Sequence, residues 1–156
     1  EAALILARAC GADGMVAGQV LDTLYGIHTE EQLKAMYRLK TGVMISGAAE
    51  LGCVAAKMNQ GMRSQALAYA DGIGKAFQIR DDILDVTSTM EELGKPVFSD
   101  EKNEKTTYVT MFGTDGAEQE VKRLTKEAVD ELKNLSCPRD KIFLEELFES
   151  LTSRKK

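Results

Sequence analysis

Phe77-Gln78-Ile79-Arg80-Asp81-Asp82-Ile83-Leu84-Asp85 is the stretch around which the chain is organised. On an α-helix, Gln78, Asp81, Asp82 and Asp85 fall at i, i+3, i+4 and i+7, which is one face of about two turns. Like charges at that spacing repel by a few tenths of a kcal/mol per pair, so the face calls for a cation. Oxygen donors alone on a stiff scaffold suit Mg²⁺, which keeps several waters and binds through one or two carboxylates plus substrate phosphates. Isolated acidic clusters on helices are more often solvated faces. Here, however, Phe77, Ile79, Ile83, Leu84 and Val86 leave little of the circumference for water, and a helix apolar on most sides is buried. Carboxylates on such a helix need partners, because an unpaired interior charge is too costly to keep.

Ahead of this stretch, Ala66, Ala68, Ala70, Gly72, Gly74 and Ala76 allow neighbouring helices to approach closely. The helix is predicted to begin at Arg63 or Ser64, after a loop at 59–63, and to fade near Thr87. Behind it, Gly94-Lys95-Pro96 opens a segment without apolar periodicity that runs to Lys105. Loops of that length inside a domain are uncommon unless they act as lids or binding segments. Lys95 and Lys105 can carry two positive charges back over the acidic stripe. Thr106 to Phe112 reads as a short buried helix ending at Gly113. Asp115 to Leu135 has the spacing of an amphipathic helix, with Ala117, Val121, Leu124, Ala128, Leu132 and Leu135 on one face. After Pro138 a last helix, Lys141 to Leu151, is expected to turn Ile142, Leu144, Leu147 and Leu151 inward.

On the N-terminal side, Glu1 to Ala9 reads as helix, with Gly11 as its C-cap. Asp13 can cap the next helix, in which Gly14 and Gly18 make one side flat and Gln19 and Asp22 share a polar face. Those two side chains serve equally well as inter-helix hydrogen bonds or as part of a site. His28, the only histidine, sits in a polar connection and reads as a surface residue. Thr29 and Gln32 have the spacing of a capping box. The helix they open reaches Lys40-Thr41-Gly42, where a Thr-Gly pair bends a helix and frees carbonyls. Beside Lys40 such a bend can face a ligand or simply join two helices.

A chain of 156 residues, 44% apolar and 29% charged, can form one domain with a substantial core. The net charge of −5, with no basic run before Arg154-Lys155-Lys156, argues against nucleic acid as a partner. The apolar tract from Thr41 to Ala56 is too short and interrupted for a membrane span, and no signal-peptide pattern opens the chain. Cys10, Cys53 and Cys137 show no paired spacing, which fits reduced thiols in a cytoplasmic protein without disulfide or zinc. The start at Glu1, inside a helical pattern and without Met, is what a piece of a longer protein would show. With no strand alternation and no internal repeat, the class is all-α, a helical bundle.

Taken in order, GMVAGQVLD, KTG, AFQIRDDILD and GKPVFSDEKNEKTTY resemble the C-terminal half of a short-chain trans-prenyl diphosphate synthase, the family of farnesyl and geranylgeranyl diphosphate synthases. The resemblance runs over residues 1–156 and implies the isoprenoid synthase fold. It also implies condensation of an allylic diphosphate with isopentenyl diphosphate, with Mg²⁺ assisting departure of the diphosphate; the apolar cavity wall left uncovered without the family's N-terminal half is expected to drive self-association into a homo-oligomer. By the same resemblance Asp81 would be the main metal ligand, with Asp82 and Asp85 holding metal-bound water. Lys40, Lys95 and Lys105 would contact the diphosphate. Thr41 and Gln78 would lie beside the allylic carbon, and Gln19 and Asp22 would line the cavity. Phe98 stands where the family usually has Gly. The family's first DDxxD motif is absent from these residues, so the chain by itself is expected to be inactive. A non-catalytic partner subunit would tend to lose the carboxylates that are present here. A class I terpene cyclase needs a second metal motif on a later helix that residues 115–151 do not carry. A di-iron bundle needs an ExxH that does not occur.

Overall fold

A computed structural model describes residues 1–24, 26–88, 105–134 and 141–154. Lys95, Phe98, Leu135, Cys137 and Pro138, with residues 94–104 of the loop expected to run from Gly94 to Lys105, lie outside the described residues. Within them the chain is helical and has no strand: α1 (Ala2–Cys10), α2 (Met15–Leu24), α3 (Glu30–Tyr37), a π turn (Arg38–Gly42), α4 (Val43–Ala55), α5 (Gln60–Thr87), α6 (Tyr108–Asn134) and α7 (Lys141–Ser153).

The acidic helix α5 is the central element, packed on α6, α4, the π turn and α7. Its Tyr69, Ile73, Ala76, Ile79 and Ile83 enter the core, where they meet Leu33, Met36 and Tyr37 from α3 and Val121, Leu124 and Leu132 from α6. The helix starts earlier than the composition suggests, because the Asn59 side chain accepts the Met62 N–H at 3.0 Å and caps it. The expected capping box is present, with Thr29 and Gln32 each satisfying the other's backbone N–H.

Two expectations about the C-terminal helices need correction. The span α6 begins at Tyr108 rather than Thr106, and the expected break at Gly113 is present: with φ 73°, ψ 168° that residue is non-helical and separates a short first helix from the long one that follows. Phe112, expected to be buried, is 42% exposed and stacks on Tyr108 at 4.6 Å. In α7, Leu144 and Leu151 pack against the core as expected, but Ile142 and Leu147 do not. Phe148 is fully buried, whereas Ile142 is 67% exposed. One cause is the hydroxyl of Tyr69, which donates to the Leu144 carbonyl at 2.6 Å and sets the rotation of α7. Burial pushes the pKa of that phenol up to about 12, so it remains a donor.

At the N-terminus, Ala2–Leu24 is long and apolar enough to cross a membrane by composition alone. The chain there is two helices, interrupted after Cys10 where Gly11 takes an extended conformation. Leu4, Leu6, Val16 and Leu24 are exposed. Cys10 donates to the Met44 sulfur at 3.6 Å, joining α1 to α4, and both Cys10 and Cys53 are free thiols.

Candidate functional site

The bend expected at Thr41-Gly42 is a π turn in which the Val43 N–H reaches the Arg38 carbonyl, five residues back. Single π turns of this kind recur at functional sites. Two glycines hold it. A Cβ on Gly18 would sit 2.1 Å from the Lys40 nitrogen, and one on Gly74 would sit 2.8 Å from the Gly42 Cα. Helices α2 and α5 therefore clasp the turn backbone to backbone, which presents Lys40 and Thr41 between them.

Three of the residues singled out from the sequence meet at this turn. Asp22 Oδ2 accepts Lys40 Nζ and Lys105 Nζ, each at 2.9 Å. The aspartate side chain is 7% exposed and the two lysines about a third exposed. Burial works to raise the Asp22 pKa, but hydrogen bonds and charge from Lys105 and Lys40 prevail and hold it below the ordinary carboxylate range. One carboxylate between two lysines leaves an excess positive charge facing solvent. Beside it a cleft of about 370 Å³ is lined by Met15, Val16, Val20 and Gln19 together with Lys40 and Thr41. The arrangement joins an apolar wall to a cationic head, with Gln19 on the wall.

A depressed carboxyl gives a signed prediction. The Asp22 link contributes stability fully above its unfolded-state pKa of about 3.9, and loses it as pH falls through the lower folded value. Asp22→Asn is therefore expected to lower stability at neutral pH and to flatten the acid limb of a stability–pH profile measured by urea unfolding. An acid limb as steep as that of the wild-type chain would refute the assignment.

The acidic stripe is divided by its partners. Gln78 and Asp82 turn toward the π turn and α6: the Thr41 hydroxyl donates to Gln78 Oε1 at 2.9 Å, and Asp82 accepts the Tyr37 hydroxyl and the Tyr108 N–H. Asp81 pairs with the guanidinium of Arg154. That guanidinium lies 3.9 Å above the Phe77 ring, a cation–π contact. The Arg154 carbonyl in turn accepts Arg80 Nε and Nη2, both at 3.1 Å. Asp85 is 2% exposed. Sequence reasoning missed Tyr37, Tyr108 and Arg154 as neighbours of the stripe. The Thr107-x-x-Thr110 spacing, whose hydroxyl at Thr107 accepts the Thr110 N–H at 3.2 Å, could have revealed the helix start at Tyr108.

Among the described residues, no three acidic, His or Cys side chains converge closely enough to hold a metal ion. The donors are nevertheless all hard oxygens, and the Asp81 side chain is 35% exposed. This fits a Mg²⁺ ion that takes one carboxylate from the chain and its other ligands from water and phosphate; it does not fit a cage built by these residues.

The polyprenyl synthetase family model matches residues 2–142. The chain belongs to the polyprenyl synthetase family. It is 38% identical over 135 residues to farnesyl diphosphate synthase from Escherichia coli, covering 84% of this chain and 45% of that protein. Among solved structures it superposes on the Helicobacter pylori geranyltransferase complexed with magnesium and isoprenyl diphosphate, with TM-score 0.79 and 29% identity over 97% of this chain and 50% of that one. The Caulobacter crescentus polyprenyl synthase complexed with calcium and isoprenyl diphosphate matches with TM-score 0.87 at 21% identity, over 99% and 59% of the two chains, which supports the shared fold. The chain spans about half the length of the curated relatives it matches.

Proposed function

We propose that these residues are the C-terminal portion of a prenyltransferase domain, supplying the diphosphate-binding side of a site that condenses an allylic diphosphate with isopentenyl diphosphate. The observation that carries this reading is the convergence of Lys40 and Lys105 on Asp22 at the mouth of an apolar cleft. An isoprenyl diphosphate has the matching halves, an apolar chain and a multiply anionic head. Lys40 and Lys105 exchange Asp22 for phosphate oxygens, and Lys95, which lies outside the described residues, is by the family resemblance a third diphosphate contact. Gln19 and Thr41 border the alkyl chain, and Gln78 holds the Thr41 hydroxyl in place. Asp81 is the carboxylate offered to Mg²⁺, which would neutralise the departing diphosphate. Asp85, one turn further along α5, would assist in holding such an ion through water.

Chemically, the cost of breaking the allylic C–O bond lies in the charge left on diphosphate. Lysines fixed before the substrate arrives lower that cost, because they need little reorientation as the charge develops. Met15, Val16 and Val20 give the alkyl chain an apolar wall, and covering their exposed face would exclude water from the electron-poor carbon. The uncovered face of α1 and α2 suits a homo-oligomer or the rest of the domain, and sedimentation is expected to show association beyond a monomer. The free thiols Cys10 and Cys53 suit a cytoplasmic location.

Calorimetric titration with dimethylallyl diphosphate in the presence of Mg²⁺ tests the reading. Binding is expected for the chain as it stands, weakened roughly tenfold or more in Lys40→Gln through loss of a charge-assisted contact. Heat that is the same without Mg²⁺ and unaffected by Lys40→Gln would count against it.

A further inference from the structure

The carboxylate of Asp82, 4% exposed, is held from three directions. Its Oδ2 accepts the hydroxyl of Tyr37, the last residue of α3, and at 2.9 Å the backbone N–H of Tyr108, the first residue of α6. Its Oδ1 lies 3.5 Å from Gln78 Nε2, and Gln78 in turn accepts the Thr41 hydroxyl in the π turn. Tyr37 and Tyr108 are buried as well, with the Tyr108 nitrogen 3.0 Å from the Tyr37 hydroxyl oxygen. These donors surround the carboxylate where a cation would otherwise have to approach.

We infer that Asp82 is a positioning residue rather than a cation ligand: it ties the end of α3, the π turn and the start of α6 together, and so sets where Lys105 meets Asp22. Lys105 stands three residues before Tyr108, and its Nζ donates to Asp22, 83 residues away in sequence. Fixing the Tyr108 amide fixes the anchor point of that short segment. Thr106 adds a second tether, its hydroxyl donating to the Ile27 carbonyl at 2.8 Å. The adjacent carboxylates of one DDxxD thus divide the work. Asp81, partly exposed and paired with a displaceable arginine, faces outward, while Asp82 faces the interior. A hydrogen bond to a charged acceptor is stronger than one to a neutral acceptor, and a buried N–H left without any acceptor is costly. This explains a carboxylate at a position that receives donors from Tyr37, Tyr108 and Gln78.

The inference rests on the proposed diphosphate role of Lys105, and the test separates the two. Amide hydrogen exchange at Tyr108 and calorimetric binding of Mg²⁺ with inorganic pyrophosphate are measured for the wild-type chain, Asp82→Asn, Asp82→Ala, Tyr37→Phe and Asp81→Asn. A positioning role is met in large part by the Asn oxygen. Asp82→Asn should therefore keep Tyr108 protection and pyrophosphate affinity within about threefold of wild type, while Asp82→Ala loses roughly tenfold or more in both. Tyr37→Phe, which removes a single donor and leaves the carboxylate, should lower protection by less than Asp82→Ala. Should Asp82→Ala fail to fold, Asp82→Asn and Tyr37→Phe still decide. Asp81→Asn should weaken pyrophosphate binding and leave Tyr108 protection alone. Equal loss of pyrophosphate binding in Asp82→Asn and Asp82→Ala, with Tyr108 protection unchanged in both, would make Asp82 a cation ligand and overturn the inference. Absence of pyrophosphate binding in the wild-type chain would remove the proposed function, whereas the exchange data would still judge the tie between Asp82 and Tyr108.

Discussion

Incubated with radiolabelled isopentenyl diphosphate, dimethylallyl diphosphate and Mg²⁺, the chain by itself is expected to yield no longer prenyl diphosphate. The reason is electrostatic. Ionising an allylic diphosphate requires its developing charge to be met from several sides, and each 1.4 kcal/mol or so of lost stabilisation costs about a factor of ten in rate. Among the described residues no cluster of three acidic side chains converges on a metal site, and only one DDxxD occurs in the sequence. Lys40 and Lys105 offer contacts to the diphosphate, yet cations held by one carboxylate per ion would leave most of that charge unmet. Extraction and chromatography of the labelled products checks the expectation. A prenyl product of increased length, formed by this chain alone and dependent on Mg²⁺, would show that the site is complete without further residues.

The second large effect concerns a glycine. Gly18→Ala places a methyl group 2.1 Å from the Lys40 nitrogen and 2.5 Å from the Leu39 carbonyl carbon, both backbone atoms that cannot swing aside as a side chain would. Overpacking of this kind costs about 3 kcal/mol. The shift also carries Asp22, one helical turn further on, away from Lys40. Gly18→Ala should therefore both lower the midpoint of urea unfolding and restore the Asp22 carboxyl toward an ordinary pKa. Gly52 gives the contrast: it is exposed, and a Cβ there meets nothing within 4 Å. Gly52→Ala should raise stability by up to about 1 kcal/mol through helix propensity. If both variants unfolded at the wild-type midpoint, the close approach of α2 to the π turn would be wrong.

Much of this arrangement is legible in the residues. The capping box at Thr29 and Gln32 follows from local hydrogen-bond chemistry, and the bend at Thr41-Gly42 follows from poor helix propensity next to a back-bonding hydroxyl. The buried stripe of α6 at Ala117, Val121, Leu124, Ala128 and Leu132 follows from period alone. The misplaced features depend on partners distant in sequence. Periodicity puts Ile142 inside with Leu144 and Leu151, but the Tyr69 hydroxyl, 75 residues from the Leu144 carbonyl it binds, helps hold α7 with Leu144, Phe148 and Leu151 inward and Ile142 exposed. The same limit holds for the acidic stripe. Spacing places Asp81 and Asp82 on one face, and only tertiary packing brings Arg154 to the first and the Tyr108 amide to the second. Arg154 read as part of a basic tail because nothing local ties it to Phe77.

The central claim is that the Lys40–Asp22–Lys105 cluster is the seat of a diphosphate bound with a divalent cation. Its most direct test is a residue-resolved NMR titration of the chain with inorganic pyrophosphate, with and without Mg²⁺. The account predicts Mg²⁺-dependent shifts concentrated at Lys40, Thr41 and Lys105, with a further response at Asp81 and Arg154 as the cation displaces the guanidinium. Shifts scattered over surface lysines such as Lys126 and Lys133, or confined to them regardless of Mg²⁺, would contradict it.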